Sequence, residues 1–105
     1  MIYPAPLTVD MQTTSALPPL LPGFEIDTQT PPAFLAQATD DGFGVDNSLA
    51  WWAAARRVVG AAPAELNIFA SGGHGWGCCA DPSEAVCSWT ARAERWLRDQ
   101  GVLAQ

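Results

Sequence analysis

Two short apolar runs, AFLAQA at 33–38 and AELNIFA at 64–70, flank one helix-length segment, DNSLAWWAAARRVVG. No other feature constrains the fold as much. A connection that passes through a helix returns the chain to the same end of a sheet, so the two strands it joins must pair in parallel. The first run follows Pro31 and Pro32 and is apolar at nearly every position, which suits a strand covered on both faces. Asp46 or Asn47 is the expected helix cap, Gly60 and Pro63 the closing signals, and Leu49, Trp52, Ala53 and Val59 the expected inner face, with Arg56 and Arg57 turned away.

The pattern continues on both sides. Downstream, DPSE at 81–84 reads as a capping box, with Asp81 as cap, Pro82 in the first turn and Glu84 reaching back. Trp89, Ala93, Trp96, Leu97 and Gln100 then recur at helical spacing, opposite Arg92, Glu94, Arg95, Arg98 and Asp99, until Gly101 ends the helix. Upstream, MIYPA resembles the tail of a strand stopped by Pro4. Residues 6–32 form a long irregular excursion rich in Pro, Thr and Gly, with Phe24 and Ile26 as its anchors. The expected fold is therefore α/β: about three parallel strands and two main helices, with residues 33–105 running strand, helix, strand, helix.

Composition limits the functions. At 105 residues the chain is one domain at most, able to bury roughly 65% of its unfolded surface. Apolar residues make up 49% and charged residues 15%, a balance that favours folding over disorder. The net charge is −6, and the five basic residues are all arginine, so no cluster of cations is expected to hold a nucleic-acid backbone. LAWWAAA, the longest apolar run, stops at Arg56 far short of a membrane span, and MIYPAPLTVD carries no secretion signature.

Sites in open parallel sheets form beyond the carboxyl ends of the strands. Two polar segments are expected there, TDDGFG after the first run and SGGHGWG after the second. An acid pair, Asp40 and Asp41, thus emerges beside His74, the one histidine of the chain. A carboxylate that accepts the imidazole Nδ1–H fixes the ring's tautomer and stabilises the imidazolium formed when the other nitrogen takes a proton. On the residues alone, a simple turn with a surface histidine fits equally well.

Competing chemistries fit less well. A zinc site from His74, Cys78, Cys79 and Cys87 would need cysteines two to four apart, whereas these are adjacent and then eight apart, so no metal or cofactor is expected. Cys78 and Cys79 lie too close to His74 along a glycine loop to pair with it as nucleophiles. Three cysteines leave at least one unpaired, which argues against a disulfide framework, and Cys87 is expected as a small buried apolar residue. SGGHG has no lysine after it and does not form a phosphate loop. A nucleophile elbow, G-x-S-x-G, is missing: Phe69 stands where Ser71 would need glycine, and Ser15, Ser48, Ser83 and Ser88 lack flanking glycines. A base and an orienting acid are present without their nucleophile.

The order of IYPA, TPPAFLAQATDD, VDNSLAWW, PAELNIFASGGHGWG and WTARAERWLRDQGVL resembles the C-terminal third of alpha/beta-hydrolase esterases, in particular the bacterial acetyl xylan esterase and bifunctional feruloyl/acetyl xylan esterase-like group. The resemblance spans nearly the whole chain. It implies that residues 1–105 are the C-terminal part of one hydrolase domain, incomplete without its N-terminal portion. It further implies that Asp41, rather than Asp40, is the triad acid and His74 the general base, in the order Ser, Asp, His, with serine and oxyanion-hole amides upstream. Gly42 and Thr90 stand where this group often has proline, and CCADPSEAVC replaces an arginine-bearing stretch. The implied substrate is a small acyl ester, acetyl or feruloyl, carried on a polysaccharide, and the chain alone should be inactive. Two alternatives stay open: a non-catalytic binding or structural fragment of hydrolase origin, or a thioesterase, lipase or peptidase of the same fold.

Overall fold

The computed structural model describes residues 17, 19–79 and 81–104. Strand β1 spans Ala33–Ala38, helix α1 Asp46–Ala55, strand β2 Ala64–Phe69 and helix α2 Trp89–Asp99, the last preceded by a 3-10 turn at Ala85–Ser88. β1 and β2 pair in parallel, from Ala33 opposite Ala64 to Ala38 opposite Phe69. The expected third strand, in MIYPA, lies outside the described residues. No described helix is long and apolar enough to cross a membrane.

All six residues of β1 are buried, because alternate side chains enter separate cores. Phe34 and Ala36 join Phe69, Val86, Ala93 and Trp96 beneath α2. Ala33 and Leu35 join Trp51 and Ala55 of α1, with Ile26 and Leu20 from the preceding segment closing that side. The sheet is thus covered by one helix on each face. Ile26 packs against this core as expected, while Phe24 stays 43% exposed and does not; residues 6–16 and 18 of the expected excursion lie outside the described residues. An Asp27 turn, in which Oδ1 accepts the Gln29 N–H at 2.8 Å, then leads toward β1.

α2 follows its pattern. Ala93 and Trp96 are buried, Trp89 and Leu97 pack against the same core, and the charged residues face out. Its end is a Schellman motif: Gly101 at φ +75° lets Gly101 N–H reach the Arg98 carbonyl and Val102 N–H the Leu97 carbonyl. Its start differs from the expected capping box. Asp81 instead receives the Ser83 N–H at 2.9 Å in a local turn, and Glu84 precedes the 3-10 turn without a side-chain cap. The chain needs that extra turn to set Val86 into the core before α2 begins.

α1 departs further. Its inner face is Ala50, Trp51 and Ala55, whereas Val59 is 94% exposed and Trp52 half-buried beneath the Arg56 guanidinium, 5.1 Å from the ring centroid. LAWWAAA is apolar all round, so spacing does not select a face; contact with Leu35 and Ala33 does. The helix yields to tighter turns after Ala55, ahead of Gly60, where the β-branched pair Val58 and Val59 is a poor helix former. Neither Asp46 nor Asn47 caps it. The cap position is Val45, and the Asn47 side chain turns back to donate to the Phe43 and Gly44 carbonyls.

Candidate active site

Because β1 and β2 run in parallel, the loops that follow them leave the sheet at the same end. Thr39 extends the ladder, giving both its N–H and its hydroxyl to the Phe69 carbonyl, at 2.8 and 3.0 Å. The chain then turns sharply, with Asp41 N–H on the Ala38 carbonyl. The turn sends Asp40 outward and Asp41 inward, where its side chain is completely buried.

A buried carboxylate needs donors, and Asp41 has two. Its Oδ1 accepts the Phe43 N–H at 2.8 Å and its Oδ2 lies 3.1 Å from His74 Nδ1. A carboxylate oxygen there accepts, so Nδ1 carries the proton and the ring is oriented from that side. The Phe43 ring meets the imidazole edge-on, with centroids 4.7 Å apart, while 38% of the histidine side chain stays accessible. The acid and the imidazole named from the sequence are in contact.

Polar groups under the acid loop hold it in place. Gln37, wholly buried within an otherwise apolar strand, receives the Ser48 hydroxyl and donates to the Gly44 carbonyl at 3.2 Å. With Asn47 it ties the loop to the first turn of α1, and among the described residues no buried side-chain polar atom lacks a partner. These residues were not foreseen from the sequence. The glutamine inside AFLAQA is the signal that points to them, because a buried amide must find partners.

The histidine loop is shaped by backbone freedom and then tied. Gly72 sits at φ +147°, and a Cβ there would come within 3.1 Å of the Val86 side chain, so glycine is required both by conformation and by space. Asp40 Oδ1 accepts the Gly73 N–H at 2.7 Å, a contact that holds the Asp40 carboxyl below its ordinary 3.8. Trp76 donates its indole N–H to the Gly73 carbonyl and Trp89 donates to that of Gly77, at 2.9 and 2.8 Å.

The cysteines behave differently from expectation. Cys79 is disulfide-bonded to Cys87, their Cα atoms 5.5 Å apart, which clips the end of the histidine loop to the 3-10 turn; Cys78 is free and exposed. The spacing gave no hint of this pairing because it depends on the turn at Ala85–Ser88. Cys87 is thus a bonded residue, not merely a small apolar one, although its side chain still packs against the core under α2. No group of three or more His, Cys, Asp or Glu among the described residues could hold a metal. The grooves flanked by Trp52, Leu66 and Gln100, and by Leu20, Ala50 and Arg57, do not border Asp41 or His74.

No protein-family model and no curated protein matches the chain. It is similar to a crystal structure of the acetyl ester-xyloside bifunctional hydrolase from Caldicellulosiruptor lactoaceticus, with 35% identity and a TM-score of 0.68 over 75% of this chain. The similarity covers 28% of that chain. The described residues therefore form a small, esterase-like α/β fold with a two-stranded parallel sheet, similar in sequence and shape to part of an acetyl ester-xyloside hydrolase.

Proposed function

We propose that this chain is the C-terminal portion of a serine carboxylic-ester hydrolase of alpha/beta-hydrolase fold, that Asp41 and His74 are its acid and base, and that the substrate is a small acetyl or feruloyl ester on a polysaccharide. One observation carries the proposal: the Nδ1–Oδ2 contact at 3.1 Å joins the two loops at the carboxyl ends of β1 and β2. The acetyl-ester chemistry named for the structural neighbour supports the choice of substrate.

In this reaction a serine contributed by the segment before Met1 attacks the ester carbonyl and transfers its hydroxyl proton to His74 Nε2. Asp41 stays ionised, holds Nδ1–H and stabilises the resulting imidazolium. His74 then returns the proton to the departing alcohol. Water repeats the sequence on the acyl-serine and releases the acid and free enzyme. Backbone amides from the same upstream segment stabilise the oxyanion, which is worth about 3–4 kcal/mol. With neither serine nor amides, the 105 residues alone turn over no ester.

The test is p-nitrophenyl acetate hydrolysis by the chain expressed together with the coding sequence in frame upstream of Met1. Turnover should appear with an upstream G-x-S-x-G and fall by about 10³-fold or more in His74→Ala. Turnover unaffected by that substitution refutes the assigned base. An upstream sequence with no nucleophile elbow, or hydrolysis of thioesters or amides in place of oxygen esters, refutes the proposed function as stated.

A further inference from the structure

We propose that Asp40 and Trp76 are positioning residues for His74, and that they act by clamping the two peptide planes on either side of Gly73. The proposal rests on the assignment of His74 as base and adds to it the groups that aim the ring.

Gly73 immediately precedes the histidine, so its φ and ψ set the direction in which His74 leaves the loop. It lies at φ +64°, and no heavy atom comes within 4 Å of where its Cβ would be, so side-chain packing does not hold it. Hydrogen bonds hold it instead. The Gly73 N–H, in the plane shared with Gly72, donates to Asp40 Oδ1 at 2.7 Å. The Gly73 carbonyl, in the plane shared with His74, accepts the Trp76 indole N–H at 2.9 Å. Fixing one plane on each side of a residue fixes both of its soft dihedrals.

Each clamp is itself anchored. Asp40 adjoins Asp41 in the turn after β1, so the acid loop grips the histidine loop twice, once at the ring and once at the backbone behind it. The Trp76 ring meets Phe69 edge-on at 6.0 Å and Trp89 at 6.5 Å, so its N–H direction is set by the core under α2. The two adjacent aspartates thus have separate tasks. Asp41 fixes the tautomer and Asp40 fixes the path of the chain.

His74 is the one histidine of these 105 residues, and His74→Ala assigns its imidazole NMR signals in the chain expressed with its upstream coding sequence. Asp40→Ala removes the acceptor, Asp40→Asn keeps an oxygen there, and Trp76→Phe keeps the ring while removing the N–H. In Asp40→Ala the Gly73 amide should exchange with solvent at least about tenfold faster and the His74 ring signals should move or split. Asp40→Asn should stay within about threefold of the parent exchange rate, since a neutral acceptor is weaker but present. Trp76→Phe should move the ring signals in the same sense, at a temperature where the far-ultraviolet circular dichroism of both proteins is identical. Unchanged Gly73 exchange and unmoved ring signals in Asp40→Ala and Trp76→Phe overturn the clamp. Asp41→Ala separates the two assignments. If it alters the ring's tautomer while Asp40→Ala does nothing, only the clamp fails; if it leaves the tautomer intact, the underlying acid–base assignment fails.

Discussion

Substituting Gly72→Ala loads the histidine loop at the point where it presses on the core. Two costs add. At φ +147° a residue with a Cβ is strained whatever the available space, and such backbone strain costs about 1–3 kcal/mol. The new methyl also lands 3.1 Å from Val86 Cβ and Cγ2 and 3.2 Å from Cγ1. Val86 is 1% exposed and backed by Phe34 and Trp96, so it has little room to retreat, and forced overpacking of this kind costs about 1–3 kcal/mol. The sum, about 2–6 kcal/mol, is a large part of the 5–15 kcal/mol typical of a domain. A double-mutant cycle with Val86→Ala isolates the crowding by the valine methyls. Removing the two valine methyls relieves the Cγ1 and Cγ2 contacts but leaves Cβ 3.1 Å from the new methyl, so the double variant should be less destabilised than the sum of the singles by only part of that overpacking cost, about 1 kcal/mol, while the backbone strain remains. Urea unfolding followed by tryptophan fluorescence reads all four corners. A Gly72→Ala protein within about 0.5 kcal/mol of the parent, or strict additivity in the cycle, would show that the loop does not lie against Val86.

Three further outcomes follow from the same contacts. His74→Ala leaves buried Asp41 Oδ2 without the imidazole N–H and should cost about 1–3 kcal/mol in urea unfolding, although the histidine itself is half-exposed; an unchanged midpoint would contradict the contact. Reducing the Cys79–Cys87 bond opens a short loop whose closure is worth about 2–3 kcal/mol, so dithiothreitol should lower the unfolding midpoint, and hydrogen exchange should rise first across 72–79. Asp40 is held below its ordinary 3.8 by the Gly73 N–H, so the clamp is fully formed above that value and is lost as pH falls through the lower folded-state value. Gly73 amide protection corrected for intrinsic exchange should therefore be constant from neutrality down to about pH 4 and drop only below it; a drop near pH 6 would place its control elsewhere.

Legibility in the sequence varied with the kind of interaction involved. β1 and β2 were readable because short apolar runs around one helical connection admit few pairings, and the observed bounds differ only in ending β2 at Phe69. The buried face of α2 was readable because its charges all lie on the other side. That of α1 was not, since LAWWAAA offers apolar groups in every direction and the partner strand makes the choice. Caps were misread at both helices for one reason: Asn47 and Asp81 use their side chains to hold the turns before the helices, a choice set by loop geometry. The Asp41–His74 pair could be placed at one end of the sheet from strand direction alone, but choosing between Asp40 and Asp41 needed the resemblance. The structure gives each a different partner, Gly73 for one and the His74 ring for the other. Gln37, Ser48 and the Cys79–Cys87 bond depend on tertiary placement that local spacing does not encode.

Long-range nitrogen–proton correlation spectra of the His74 imidazole, recorded where the ring is neutral, probe the acid–base contact most directly. With Asp41 accepting from Nδ1, the protein should show the Nδ1–H tautomer, and Asp41→Ala should convert it to the Nε2–H form. A parent protein already in the Nε2–H form, or a tautomer indifferent to that substitution, would mean that the carboxylate does not orient the histidine.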